Sequence, residues 1–184
     1  PNLLEEAVLD YLRITDIDNT ESDWIFWDEN KVPIYLFDFM GWIAQDFIVE
    51  QKFGLSMSKR KRTGIQFHQC DYPHGKEKMP IRATYFVKRK LDDTRFVIDF
   101  TPLDGLHLEM QIMYLPEVRI GDFHKQYEEY ATQKGILKNN IVNAKLQFIK
   151  LDEVTWDDVV LTPEQRKGLD KNIVKFIENI DLYE

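Results

Sequence analysis

A single cysteine, Cys70, stands among 184 residues, which excludes an internal disulfide framework and fits a reducing compartment. No apolar run approaches the ~18 residues of a membrane-spanning helix, and the start carries no signal-peptide pattern. Pro1 in place of an initiating Met fits an excised or processed chain, and the expected location is cytoplasmic. A basic excess is also missing. With 24 Lys and Arg against 32 Asp and Glu, the formal charge is −8, which argues against nucleic-acid or acidic-membrane binding as a bulk property. Internal repeats and low-complexity segments are absent.

The signatures of common catalytic machinery are lacking as well. No Gly-x-x-x-x-Gly-Lys-(Ser/Thr) loop occurs. Gly75-Lys76-Glu77 has neither the upstream glycine nor the magnesium-holding hydroxyl, so it cannot cradle a triphosphate. Phe96-Val-Ile-Asp99 has an apolar lead but no following acid, and reads as a core strand with one polar side chain. There is no Gly-x-Ser-x-Gly elbow and no His-Glu-x-x-His. The carboxylates are scattered, so no general acid/base pair stands out. His68, Cys70 and His74 lie close enough in sequence to offer imidazole and thiolate to zinc, but their spacing matches no closed zinc pattern, and the expectation is no metal. Cys70 with a neighbouring His also suggests a thiol nucleophile, yet no adjacent residue supplies the orienting third group.

What is present is core-forming material. Twelve Phe, eight Tyr and four Trp supply a chain of a length that buries roughly 70% of its unfolded surface. Leu4, Ala7, Val8, Tyr11 and Leu12 make the stripe of a first helix. After a polar loop over 16–23, Trp24-Ile-Phe-Trp27 is a brief strand or an anchor laid on the core, and its bulk points to packing. Asp28 onward opens a second helix with Pro33 in its first turn. Leu36, Met40, Ile43, Phe47 and Ile48 line one face, Phe37, Phe39 and Trp42 widen it, and Gly54 is expected to end it. So broad an apolar face places this helix at the centre of the fold or against a second protomer. Lys59-Arg-Lys-Arg62, the densest basic cluster, is either a solvated loop or a contact for phosphate or an acidic partner.

The centre reads as antiparallel β: Ile65–Gln69, Ile81–Lys90 and Arg95–Thr101, with a turn at Asp92-Asp93. Leu108, Met110, Ile112 and Tyr114 alternate with His107, Glu109 and Gln111, a strand with one wet face. Phe123, Tyr127 and Tyr130 mark a helix from Asp122 to Lys134, with Gly135 after it. Val142, Ala144, Leu146 and Phe148 alternate as a last strand. The sum is an α+β domain over residues 1–150, an antiparallel sheet with helices packed on one face. Its boundary falls at Leu151–Thr155.

The final stretch begins Thr155-Trp-Asp-Asp-Val-Val-Leu161. Thr162 is placed to cap a helix, Pro163 fills its first position, and Gln165 can complete a capping box. Leu169, Ile173, Phe176, Ile177 and Ile180 then share one helical face. This Trp-Asp-Asp-Val turn with its capped helix resembles the opening segment of an AAA-type ATPase module, over residues 154 to 184. The resemblance implies that 151–184 is a linker and first helix of an incomplete module, followed in the parent chain by a phosphate-binding loop. It implies ATP and Mg as the parent's cofactors, ring-forming homo-oligomers, and a protein substrate or adaptor that residues 1–150 would recognise. It maps the family's adenine-side contact onto Asp158, Val159 and Val160, although many members have Gly where Val160 stands. Residues 1–184 alone are not expected to hydrolyse ATP. The alternative is a stand-alone α+β protein-binding module with no nucleotide role.

Overall fold

A computed structural model of the chain describes residues 3–54, 64–104, 107–149 and 162–169. The chain divides into two compact units, Pro1–Ile149 and Lys150–Glu184. The first is built on β4 (Gly75–Arg89), a strand of fifteen residues. Its first half pairs with β3 (Gln66–Tyr72) and its second half with β2 (Phe47–Phe53) and β5 (Arg95–Pro102). β6 (Leu108–Tyr114) joins β5, and β1 (Glu21–Trp27) closes that side. All pairings are antiparallel, in the order β1-β6-β5-β4-β2 with β3 also on β4. Gly75 follows the tight β3–β4 turn at φ +133°, a backbone region that side-chain-bearing residues rarely adopt.

Directly paired residues of antiparallel strands share a face, so the register sorts the sheet. Tyr85, Val87, Phe96, Ile98, Ile112 and Tyr114 point one way, into a core closed by α2 (Val32–Asp46) and α3 (Ile120–Lys134). Phe86, Val97 and Met113 point the other way, against Leu4, Val8, Tyr11 and Leu12 of α1 (Leu3–Leu12). Helices therefore lie on both faces of the sheet. Phe86, Val97 and Met113 on the second face are buried under α1, and that is why the expected single helical layer is incomplete. Among the described residues no helix is long and apolar enough to cross a membrane.

α2 sits at the centre of its layer. Asp28 Oδ1 accepts from Lys31 N–H at 3.1 Å just before it, and Pro33 occupies its first turn, where a missing N–H costs nothing. Val32, Leu36, Phe39, Trp42 and Ile43 are buried in the core, which supports the central placement. The helix stops at Asp46, well before Gly54, and Phe47–Phe53 continue as β2. Phe47 and Ile48 extend the helical stripe in sequence, but tertiary pairing with Arg89 and Lys88 overrides it. Gly54 forms an isolated bridge instead of a helix cap.

α3 packs on α2. Phe123 is fully buried, with ring centroids 4.8 Å from Trp42 and 5.0 Å from Phe96. The helix begins at Ile120, ahead of Asp122, and Asp122 lies within its first turn. Two glycines set the spacing. A Cβ at Gly41 would come 2.6 Å from Tyr130 Oη, and one at Gly135 would come 2.1 Å from the Ala131 carbonyl oxygen. Beside Gly135, the buried Asp38 on α2 accepts from Ile136 N–H at 2.8 Å and ties the end of α3 to α2.

Residues 141–149 form a small hairpin, β7 (Ile141–Val142) with β8 (Phe148–Ile149), instead of the one alternating strand expected. Asn143 Oδ1 accepts from Lys145 and Gln147 N–H, and Leu146 turns at φ 58°. That is Asx-type chemistry, which competes with extension of a strand. In the second unit the described element is α4 (Pro163–Leu169).

Candidate functional site

The residues singled out by sequence fall into three groups. Asp158, Val159 and Val160, with Trp156 and the basic Lys59–Arg62, lie outside the described residues. Thr162 and Gln165 form the expected capping box: Gln165 N–H donates to Thr162 Oγ1 at 3.3 Å, and Thr162 N–H donates to Gln165 Oε1 at 2.9 Å. His68, Cys70 and His74 are not gathered into one site. His74 Nε2 lies 2.6 Å from Glu77 Oε1 and its ring stacks on Tyr72. The Tyr72 hydroxyl donates to the Pro33 carbonyl at 2.5 Å, pinning β3 to the start of α2. Cys70 is buried, and burial pushes its thiol up. Such a thiol stays protonated and inert at neutral pH. Among the described residues no three His, Cys, Asp or Glu side chains converge as metal ligands.

A different set is brought together on the α1-facing side of the sheet, beyond the patch that α1 buries. The register aligns side chains across neighbouring strands. One row runs Trp24, Gln111, Asp99, Thr84; the next begins Phe26, Glu109, Thr101. Arg82 precedes Ala83 on β4 and shares the face of Thr84 by alternation.

Asp99 is the buried centre, 4% exposed. Its Oδ1 accepts from the Thr84 hydroxyl at 2.5 Å and its Oδ2 from Thr101 at 3.1 Å. Burial raises its pKa first and the charge of Glu109 adds to that, while the two hydroxyls and Arg82 oppose them. Gln111 Nε2 donates to Ser22 Oγ at 2.9 Å, which fixes the amide beside Trp24.

The rim is apolar and open. Trp24 is 47% and Phe26 61% exposed on β1, the outer strand of this sheet, and Leu103 is exposed beside the β5–β6 connection. The backbone of β1 is partly protected: Trp24 N–H donates to Asp23 Oδ1 at 2.9 Å, and the other oxygen of Asp23 pairs with His124 Nε2 on α3. That blunts strand addition at this position and leaves the side chains as the reactive feature of the edge.

Trp24-Ile-Phe-Trp27 thus splits by face. Ile25 and Trp27 pack into the α2 core, while Trp24 and Phe26 do not. A run of four bulky apolar residues hides the period of 2, so the outward pair could not be picked out by pattern. The wet face of Glu109 and Gln111 was visible in the alternation of β6. An acid pair joined to two exposed aromatic rings is suited to holding a ligand.

Compared with known proteins, the chain matches no family model, no curated protein and no solved structure. Its functional reading rests on its own residues.

Proposed function

We propose that residues 1–150 are a partner- or substrate-recognition region preceding an AAA-type ATPase module, with the Trp24–Phe26 face as the recognition surface. The observation that carries the module assignment is the reciprocal Thr162–Gln165 capping box. It opens α4 directly after the Trp-Asp-Asp-Val segment and inside a unit distinct from the α+β unit. On this reading ATP and Mg are bound by the parent protein, with its missing phosphate loop supplied beyond Glu184. Asp158, Val159 and Val160 lie on the adenine side, and the parent assembles as a cytoplasmic ring that remodels a protein.

Recognition is supported by the kind of residues exposed. Two large aromatic side chains, Trp24 and Phe26, left open side by side on one strand face are characteristic of contact surfaces. The parent reading frame tests the assignment. It is expected to contain Gly-x-x-x-x-Gly-Lys-(Ser/Thr) within about fifty residues of Glu184, in keeping with the loop's place shortly after this helix. Its product is expected to turn over ATP, and deletion of residues 1–150 is expected to spare basal turnover and abolish stimulation by a protein partner. A frame without that loop defeats the ATPase reading.

A further inference from the structure

We propose that the Trp24–Phe26 face binds an extended, unfolded peptide segment carrying a cationic side chain two residues from an apolar one. This names the substrate class of the recognition surface described above and rests on that reading only for its place in the larger protein.

Glu109 and Phe26 are direct cross-strand neighbours on an open face. An acid beside an exposed aromatic ring accommodates an Arg or Lys side chain in two ways at once. The cation lies over the ring, and its N–H groups donate to the carboxylate. Asp99 sits diagonally behind Glu109 on the same face, held by the Thr84 and Thr101 hydroxyls. Arg82, on the face of Thr84 by alternation along β4, lies near enough to Asp99 to act on that buried carboxyl.

One position away on the same face, Trp24 pairs with Gln111, a neutral amide already held by Ser22. That position favours an apolar partner. Same-face residues of a strand are about 7 Å apart, and so are side chains i and i+2 of an extended peptide. Cation and apolar group can therefore engage Phe26–Glu109 and Trp24 together.

The acidic character also decides between polymer classes. A nucleic-acid strand could stack its bases on Trp24 and Phe26. Its phosphates would then lie against Glu109, and the chain as a whole carries −8. A cationic peptide meets no such repulsion.

The test is fluorescence anisotropy with the 184-residue chain and three labelled peptides in a Gly/Ser background, carrying Arg-x-Leu, Ser-x-Leu or Glu-x-Leu. A single-stranded oligonucleotide serves as a fourth probe. The expected order is Arg-x-Leu over Ser-x-Leu over Glu-x-Leu, with affinity for Arg-x-Leu falling as salt rises. Glu109→Gln should weaken Arg-x-Leu binding about tenfold, the scale of one charge-assisted contact. Phe26→Ala should weaken it about three- to tenfold. Glu109→Lys should invert the preference towards Glu-x-Leu, a readout that misfolding would not produce. Glu128→Gln on α3 is the control and should change nothing.

Equal binding of Arg-x-Leu and Glu-x-Leu, binding insensitive to Glu109→Lys, no peptide binding, or preference for the oligonucleotide would each overturn the proposal. None of these outcomes touches the ATPase assignment, which the phosphate loop of the parent frame decides separately.

Discussion

Phe123→Ala is the most demanding test of the packing that holds this fold together. α3 spans fifteen residues, and Phe123 is its one fully buried residue. Its ring sits in an aromatic cluster, with centroids 4.8 Å from Trp42, 5.0 Å from Phe96, 5.9 Å from Phe47 and 6.3 Å from Phe39. Those four rings belong to α2, β2 and β5, so Phe123 joins the helical layer to the sheet. Truncating a fully buried Phe to Ala costs about 3–5 kcal/mol, from lost transfer energy and from the cavity left behind. Against a typical total of about 5–15 kcal/mol, that is a large share. At about 2–4 °C per kcal/mol for a domain near this size, the melting temperature should fall by roughly 6–20 °C. Urea unfolding followed by circular dichroism and Trp fluorescence gives the free energy directly. Phe26→Ala, at 61% exposure, is the matched control and should stay within about 0.5 kcal/mol. A Phe123→Ala cost below about 1.5 kcal/mol, or one no larger than that of Phe26→Ala, would refute this account of how α3 is anchored.

Asp99→Asn tests the buried carboxylate. Because burial raises its folded pKa above the roughly 3.9 of an unfolded Asp, the folded protein binds more protons between those values. Its contribution to stability is then fullest below the unfolded value and is lost as pH rises through the folded one. The Asn variant should be at least as stable as the parent at pH 7 and show a shallower decline from acid to neutral pH; urea midpoints with an unchanged slope would contradict this. Gly135→Ala should lose about 1–3 kcal/mol by overpacking, since its Cβ would lie 2.1 Å from the Ala131 oxygen and 2.6 Å from Asp38 Oδ2. Gly121→Ala, with nothing within 4 Å, should stay within about 1 kcal/mol in the same melt. Thr162→Ala removes one half of the capping box and should cost α4 about 0.5–2 kcal/mol, seen as faster hydrogen exchange at the Gln165 amide, with Thr162→Ser restoring protection.

The legible parts of this fold are those where one face is apolar and the other is not. β6 shows a period of 2 from Leu108 to Ile112, with Met113 the one apolar residue on its other face, and the strand runs as expected through Tyr114. α1 and the Phe123–Tyr127–Tyr130 spacing of α3 show a clean helical period. The capping box was legible because its chemistry is local: Thr162 and Gln165 satisfy each other within one turn. Legibility fails where both periods are masked. Across the α2–β2 junction the apolar residues Trp42, Ile43, Phe47, Ile48 and Val49 satisfy a helical stripe. Only pairing with Val87, Lys88 and Arg89 makes the last three a strand. At 141–149 a valid alternation is defeated by one Asn side chain.

The same masking governs the candidate site. Asp99 reads as a lone polar residue in a core strand, and it is indeed buried. Its neighbours Thr84, Thr101, Glu109 and Gln111 come from three strands, and only the register reveals them. Ile25 and Trp27 are as bulky as Trp24 and Phe26, so no local rule separates the buried pair from the exposed one. An edge strand that is apolar on both faces packs the core and leaves two aromatic rings exposed with the same four residues. Such a surface becomes visible only once its cross-strand partners, Glu109 and Gln111, have been placed.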